Sequence, residues 1–315
     1  MKASKIFRKR LPFKQALLIW AILFYIIGKS YALPKYEMPI DTAVTSTQQQ
    51  AIAFIDSIKE IKSSSFWPNI KPALFLQNLK LNIHQPLSIY PGNSTNFCGY
   101  GALTYLFLQD DPLGYARLLI QLYRDGTASF RDVSFNPSGA VKKAAGSLRY
   151  KGILDIHPAE QMWFLSLADH FKGWLNFFDK KYDPGDEDKF WASVNYSKFN
   201  RMVKKLLGYQ VKATGADLSR PHVGNLYQYI AEKMNTGTVV LFVNNRIVYK
   251  KNHVTIKPGV PTHFIVAEKI SRENDNITFV YWDYGGKTLL QISPAFLKRI
   301  VFGITFCTKK INDAD

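Results

Sequence analysis

The chain has 315 residues, of which 47% are hydrophobic and 14% aromatic, with a formal charge of +17. That composition excludes a disordered or fibrous chain, and the length allows a large core in one domain or two. With two cysteines there is no disulfide scaffold, and the absence of Cys-x-x-Cys and His-Glu-x-x-His leaves metal sites of those types unsupported.

Residues 1–32 read as a targeting segment. Seven basic residues and no acid lie between Lys2 and Lys29, around an apolar run of thirteen residues, 16–28. That run suits a signal-peptide core and falls short of the roughly 20 residues needed to span a bilayer. Ser30-Tyr31-Ala32 puts small residues where a signal peptidase reads. A cleaved signal peptide and an uncleaved anchor both fit, and either carries residues 33–315 to a periplasmic or extracellular place. Setting aside those seven charges lowers +17 to +10, spread without a Lys/Arg stripe. No nucleic-acid partner is expected.

Leu33 to Thr47 is a linker with Pro34 and Pro39. Gln48 to Ile61 has an isoleucine stripe at helical spacing. Ser63 to Asn96, with four prolines, reads as irregular. Asn96-Phe97-Cys98-Gly99-Tyr100-Gly101-Ala102-Leu103 then feeds a strongly apolar run to about Asp110, a loop opening a buried helix with Cys98 at its start. Ser94, Thr95 and Asn96 are candidate caps, and Gly99 and Gly101 keep the backbone bare beside the sulfur. A helix N-terminus favours a thiolate, although a core cysteine also fits this stretch.

Pro112 opens a second helix that Gly126 stops. The middle, about 127–235, reads as a helical insertion. One helix runs from Pro158 to about Lys180, with Trp163, Phe164, Phe171, Trp174, Phe177 and Phe178 as core. A solvated acidic turn follows at 182–188, then helices at about 188–207 and 221–234. From Thr238 the period becomes two: a strand at 239–243 turns at Asn244-Asn245 into 247–249. Further strands are expected at 262–270, 277–283, 287–292 and 301–307. Helices followed by antiparallel strands make an α+β domain.

A thiolate nucleophile needs a base, and the base an orienting group. His263 opens an apolar strand, and twenty residues on the next strand ends in Asp283-Tyr284-Gly285-Gly286. A hairpin turning at 273–276 sets 263 opposite the neighbourhood of 285, which brings the Asp283 carboxylate beside the His263 ring. The other five histidines lie in helices or loops without such a partner.

A buried helix opening Cys-Gly-x-Gly-Ala, followed by His and then Asp on successive strands of a later sheet, resembles the papain-like cysteine peptidases. The resemblance covers about 98–110 and 238–307. It implies a papain-like α+β fold and a catalytic triad of Cys98, His263 and Asp283, with no cofactor and no metal. Where the family commonly carries an oxyanion-hole Gln, this chain has Gly92; Asn93 or Asn96 is the candidate donor instead. The expected function is an exported cysteine hydrolase, a peptidase or an amidase or deamidase, acting on a peptide, protein or other amide through a thioester. The alternative is a non-catalytic envelope module on the same scaffold. Residues 16–28 are the expected membrane contact. Expressed in a bacterium, the chain should be found outside the cytoplasm, shortened near Ala32 or held in the membrane; cell fractionation with N-terminal sequencing checks this.

Overall fold

The computed structural model describes residues 44–58, 60–148, 156–245, 248 and 261–309, so residues 1–32, expected as a targeting segment, lie outside the described residues. No helix among the described residues is long and apolar enough to cross a membrane. The fold is mixed α+β. Helices α1 (Gln48–Asp56), α2 (Pro72–His84), α3 (Cys98–Asp110) and α4 (Pro112–Asp125) come first. A two-stranded ribbon follows, β1 (Ala128–Phe130) with β2 (Val133–Phe135), then α5 (Gly139–Ala144), α6 (Pro158–His170) and α7 (Tyr196–Met202). The rest is β3 (Gln210–Gly215), α8 (Leu226–Met234), β4 (Thr238–Val243), β5 (His263–Glu273), β6 (Asn276–Asp283), β7 (Gly286–Ile292), α9 (Pro294–Ile300) and β8 (Val301–Thr308).

The main sheet runs β3-β8-β4-β5-β6-β7, antiparallel throughout. Alternation along its strands splits the core in two. Val240, Phe242, Phe264, Val266 and Trp282 face the helices α1–α7, while Val239, Leu241, Val243, Ile265 and Tyr281 face α8 and α9. Helix α3 is buried at every residue but Gln109, as its all-round apolar sequence requires. Its close packing explains the two glycines: a Cβ on Gly99 would lie 2.9 Å from Val194, and one on Gly101 3.1 Å from Pro91 and 3.2 Å from Trp282. They admit neighbours to the helix rather than clearing a path to the sulfur.

Several sequence expectations are corrected. The stretch 63–96 is not irregular: α2 opens on Pro72, which suits a helix's first turn, and its buried face includes Asn78 and Asn82, which break the apolar signature. The middle is not wholly helical, since it supplies β1, β2 and the edge strand β3. The helix from Pro158 ends at His170, where Phe171 leaves it in an extended conformation, and Gly173 beyond it passes so close to Asn195 that a Cβ would lie 2.4 Å from its Oδ1. Trp163, Phe164 and Phe171 are core, but Trp174, Phe177 and Phe178 are exposed. Helices expected from 188 and 221 start at Tyr196 and Leu226. β4 pairs with β5 and β8, the Val248 N–H bonds the Asn244 carbonyl (3.1 Å), and the rest of the strand expected at 247–249 lies outside the described residues.

Gly99→Val should cost about 1–3 kcal/mol by overpacking against Val194. Adding Val194→Ala should recover part of that loss, read as urea midpoints of the two variants.

Candidate active site

The loop before α3 is shaped by Gly92, whose φ of +85° is a backbone state that disfavours Gln at this place. The Thr95 hydroxyl donates to the Pro91 carbonyl (2.5 Å) and accepts from the Phe97 N–H (3.2 Å), bracing the loop rather than capping the helix. Phe97 holds the N-cap position and has no side-chain acceptor to give the first turn. The N–H groups of Cys98 and Gly99 therefore stand at the positive end of the helix without that cap.

Of the two expected amides, Asn96 does not fill the oxyanion role. Asn96 Nδ2 is spent on the carbonyls of Asp188 (2.7 Å) and Lys189 (2.9 Å) and on Ser193 Oγ (3.1 Å), and its backbone N–H donates to the Glu187 carbonyl (2.7 Å). Asn93 is exposed. The acidic stretch 182–188 is solvated only in part: Asp183, Pro184, Gly185 and Asp188 are exposed. Tyr182, Asp186 and Glu187 are buried, the Tyr182 hydroxyl bonds the Glu187 carboxylate, and Asp186 holds the Asp183 N–H and Lys189. This segment walls the Cys98 loop. Buried Lys198 fastens it to α3, donating to the Tyr100 hydroxyl (2.8 Å) and the Ser193 carbonyl (2.9 Å). Burial there holds the Lys198 pKa well below the usual lysine range.

The sulfur of Cys98 lies 3.5 Å from the carbonyl of Thr262, the residue before His263, and is close enough to the ring to act on its charge. His263 Nε2 meets Asp283 Oδ1 at 2.5 Å. The three side chains proposed from sequence are thus brought together, two from the sheet and one from α3. His263 and Asp283 are 1% and 5% exposed, so the ring's charge is decided by its neighbours. Burial works against the imidazolium; the Asp283 carboxylate, by charge and hydrogen bond, and then Cys98 overcome it and raise the His263 pKa from 6.5 to about 10.

Sequence reasoning missed what covers this pair. The β6–β7 hairpin turns through Tyr284 and Gly285, with φ of +44° and +83°. A tyrosine seldom takes that backbone state. Here it lays its ring on the His263 imidazole, with centroids 4.5 Å apart and planes 16° apart, and its hydroxyl accepts from Asn245 Nδ2 (3.1 Å). The only hint was an aromatic where a two-residue hairpin normally places Asn or Gly. No group of three or more His, Cys, Asp or Glu among the described residues is placed to hold a metal. Comparison with family models, curated proteins and solved structures finds no match for the chain.

The raised pKa has a signed consequence. Because the folded value of about 10 lies above the ordinary 6.5, the imidazolium's contribution to stability is full below about 6.5 and is lost as pH rises through about 10. Asp283→Asn should bring the His263 titration, followed by ring NMR, down toward its ordinary value and remove that alkaline loss. A midpoint that stays put would mean that Asp283 does not hold the charge.

Proposed function

We propose that this chain is an exported cysteine hydrolase of the papain-like kind, acting on an amide bond of a peptide, protein or smaller amide. The observation that supports it best is the buried His263–Asp283 pair beside a sulfur at the N-terminus of a buried helix. The ring beside the sulfur is the group that can take and return the protons the reaction moves. The Cys98 sulfur attacks the substrate carbonyl carbon, and the resulting oxyanion takes hydrogen bonds from the backbone N–H groups at the start of α3. Collapse breaks the C–N bond, with the proton of His263 passing to the leaving amine and a thioester left on Cys98. Water, giving up a proton to His263, then releases the acid. Asp283 keeps the ring oriented and charged. The apolar run at 16–28 would deliver the domain across the membrane or hold it there.

One observation favours the second reading, a non-catalytic envelope module: Cys98 is only 9% exposed. Labelling separates the two. Cys307 is 2% exposed, and burial pushes its thiol up to about 12. A limiting dose of iodoacetamide near pH 6 should modify Cys98 well before Cys307, and His263→Ala should slow the Cys98 reaction by about tenfold or more. Equal, slow modification of both cysteines, indifferent to His263, would favour the module. Peptide mapping by mass spectrometry reads the result.

A further inference from the structure

The pairing of β5 with β6 is not uniform. From Glu273↔Asn276 to Lys269↔Val280 it keeps one register, which then shifts between Ala267 and Lys269 to give Ala267↔Tyr281 and Val266↔Trp282. The extra residue is Glu268, a β-bulge. Carried on unshifted, the outer register would set Val266 opposite Asp283. Paired residues share a face, and β6 alternates without a break, with Ile277, Phe279 and Tyr281 toward α8 and α9, so Val266 would point with Asp283 toward α8 and α9. His263, three residues from Val266, would then point to the other face, toward α1–α7. The bulge reverses β5 instead: Val266 joins Trp282 on the α1–α7 side, and His263 comes to share a face with Asp283.

The bulge is held by its own side chain. One oxygen of Glu268 accepts from the Tyr105 hydroxyl, and the other pairs with Lys287 Nζ at 2.6 Å, with the carboxylate 13% exposed. Tyr105 lies on α3, two turns after Cys98, and stacks on Trp282 with centroids 5.1 Å apart and planes 7° apart. Lys287 stands opposite Trp282 on β7. Burial and the carboxylate both raise the Tyr105 pKa, so its hydroxyl stays a donor. One carboxylate therefore joins the helix of Cys98, the strand of His263 and the hairpin of Asp283.

We infer that Glu268 is the positioning residue of this site: gripped by Tyr105 and Lys287, it fixes the β5 bulge that turns His263 toward Asp283 and binds the helix of Cys98 to that register. As a statement about catalysis this rests on the hydrolase reading; as a statement about geometry it does not. The test reads the His263 ring by NMR titration in the full chain, alongside the Cys98 alkylation rate and the urea midpoint. Glu268→Ala should lower the His263 midpoint by about one pH unit or more, a tenfold change in proton affinity, and slow alkylation correspondingly. Glu268→Gln, which keeps an oxygen for Tyr105, should restore most of both. Tyr105→Phe and Lys287→Met each release one grip and keep the bulge residue, so they serve should Glu268→Ala not fold; each should give a smaller shift of the same sign. A folded Glu268→Ala protein, or the double Tyr105→Phe/Lys287→Met protein, with an unmoved His263 midpoint would overturn the inference. Expected shifts with no hydrolysis of any amide would leave the positioning intact and count against the hydrolase reading alone.

Discussion

A charged imidazole with almost no access to water survives only if something nearby holds the opposite charge, and here that is the contact of His263 with Asp283. Breaking a buried pair of this kind by removing one partner typically costs about 3–5 kcal/mol. The surroundings are built accordingly. Tyr284 covers the ring from a backbone conformation that few tyrosines adopt, and Asn245 holds Tyr284 there. A strained turn of this type costs on the order of 1–3 kcal/mol. A protein with no use for a dry imidazolium could satisfy the same hairpin with Asn-Gly.

The second constraint is the seam between α3 and the sheet. Its glycines let Val194, Pro91 and Trp282 approach the helix axis, and its first turn carries no side-chain cap from Phe97. The sulfur is thereby placed where the helix end, the Thr262 carbonyl and the His263 ring converge. The segment 182–198 closes the other side, through Asn96 and Lys198. Polar residues that look like surface in the sequence are thus used to hold loops against the nucleophile.

How much of this was legible in the sequence depended on range. Helix α3, the β5–β6 hairpin and the pairing of His263 with Asp283 are written in local patterns: an apolar run with a clear start, an Asn-Asp turn, and strand alternation. The hairpin turns where expected, with one bulge between its turn and the site. What failed needed distant partners. Asn96 was legible as an amide near the sulfur but not as one already bonded to residues some ninety positions away. Asn78 and Asn82 hid the buried face of α2. Trp174, Phe177 and Phe178 were counted as core by aromatic content, but the helix ends at His170 and they lie beyond it, exposed.

The two ends of the described chain meet on one residue. Thr45 bonds the Asp110 backbone carbonyl (2.8 Å) and carboxylate (3.1 Å through its hydroxyl), and Lys309 pairs with the same carboxylate. Asp110 is the last residue of α3, about 18 Å along the helix from Cys98 at 1.5 Å per residue. Topologically the domain is nearly a closed ring whose clasp sits at the far end of the nucleophile helix. A pull on Thr45 or Lys309 would load that helix's last turn before it reached the loop in front of the sulfur.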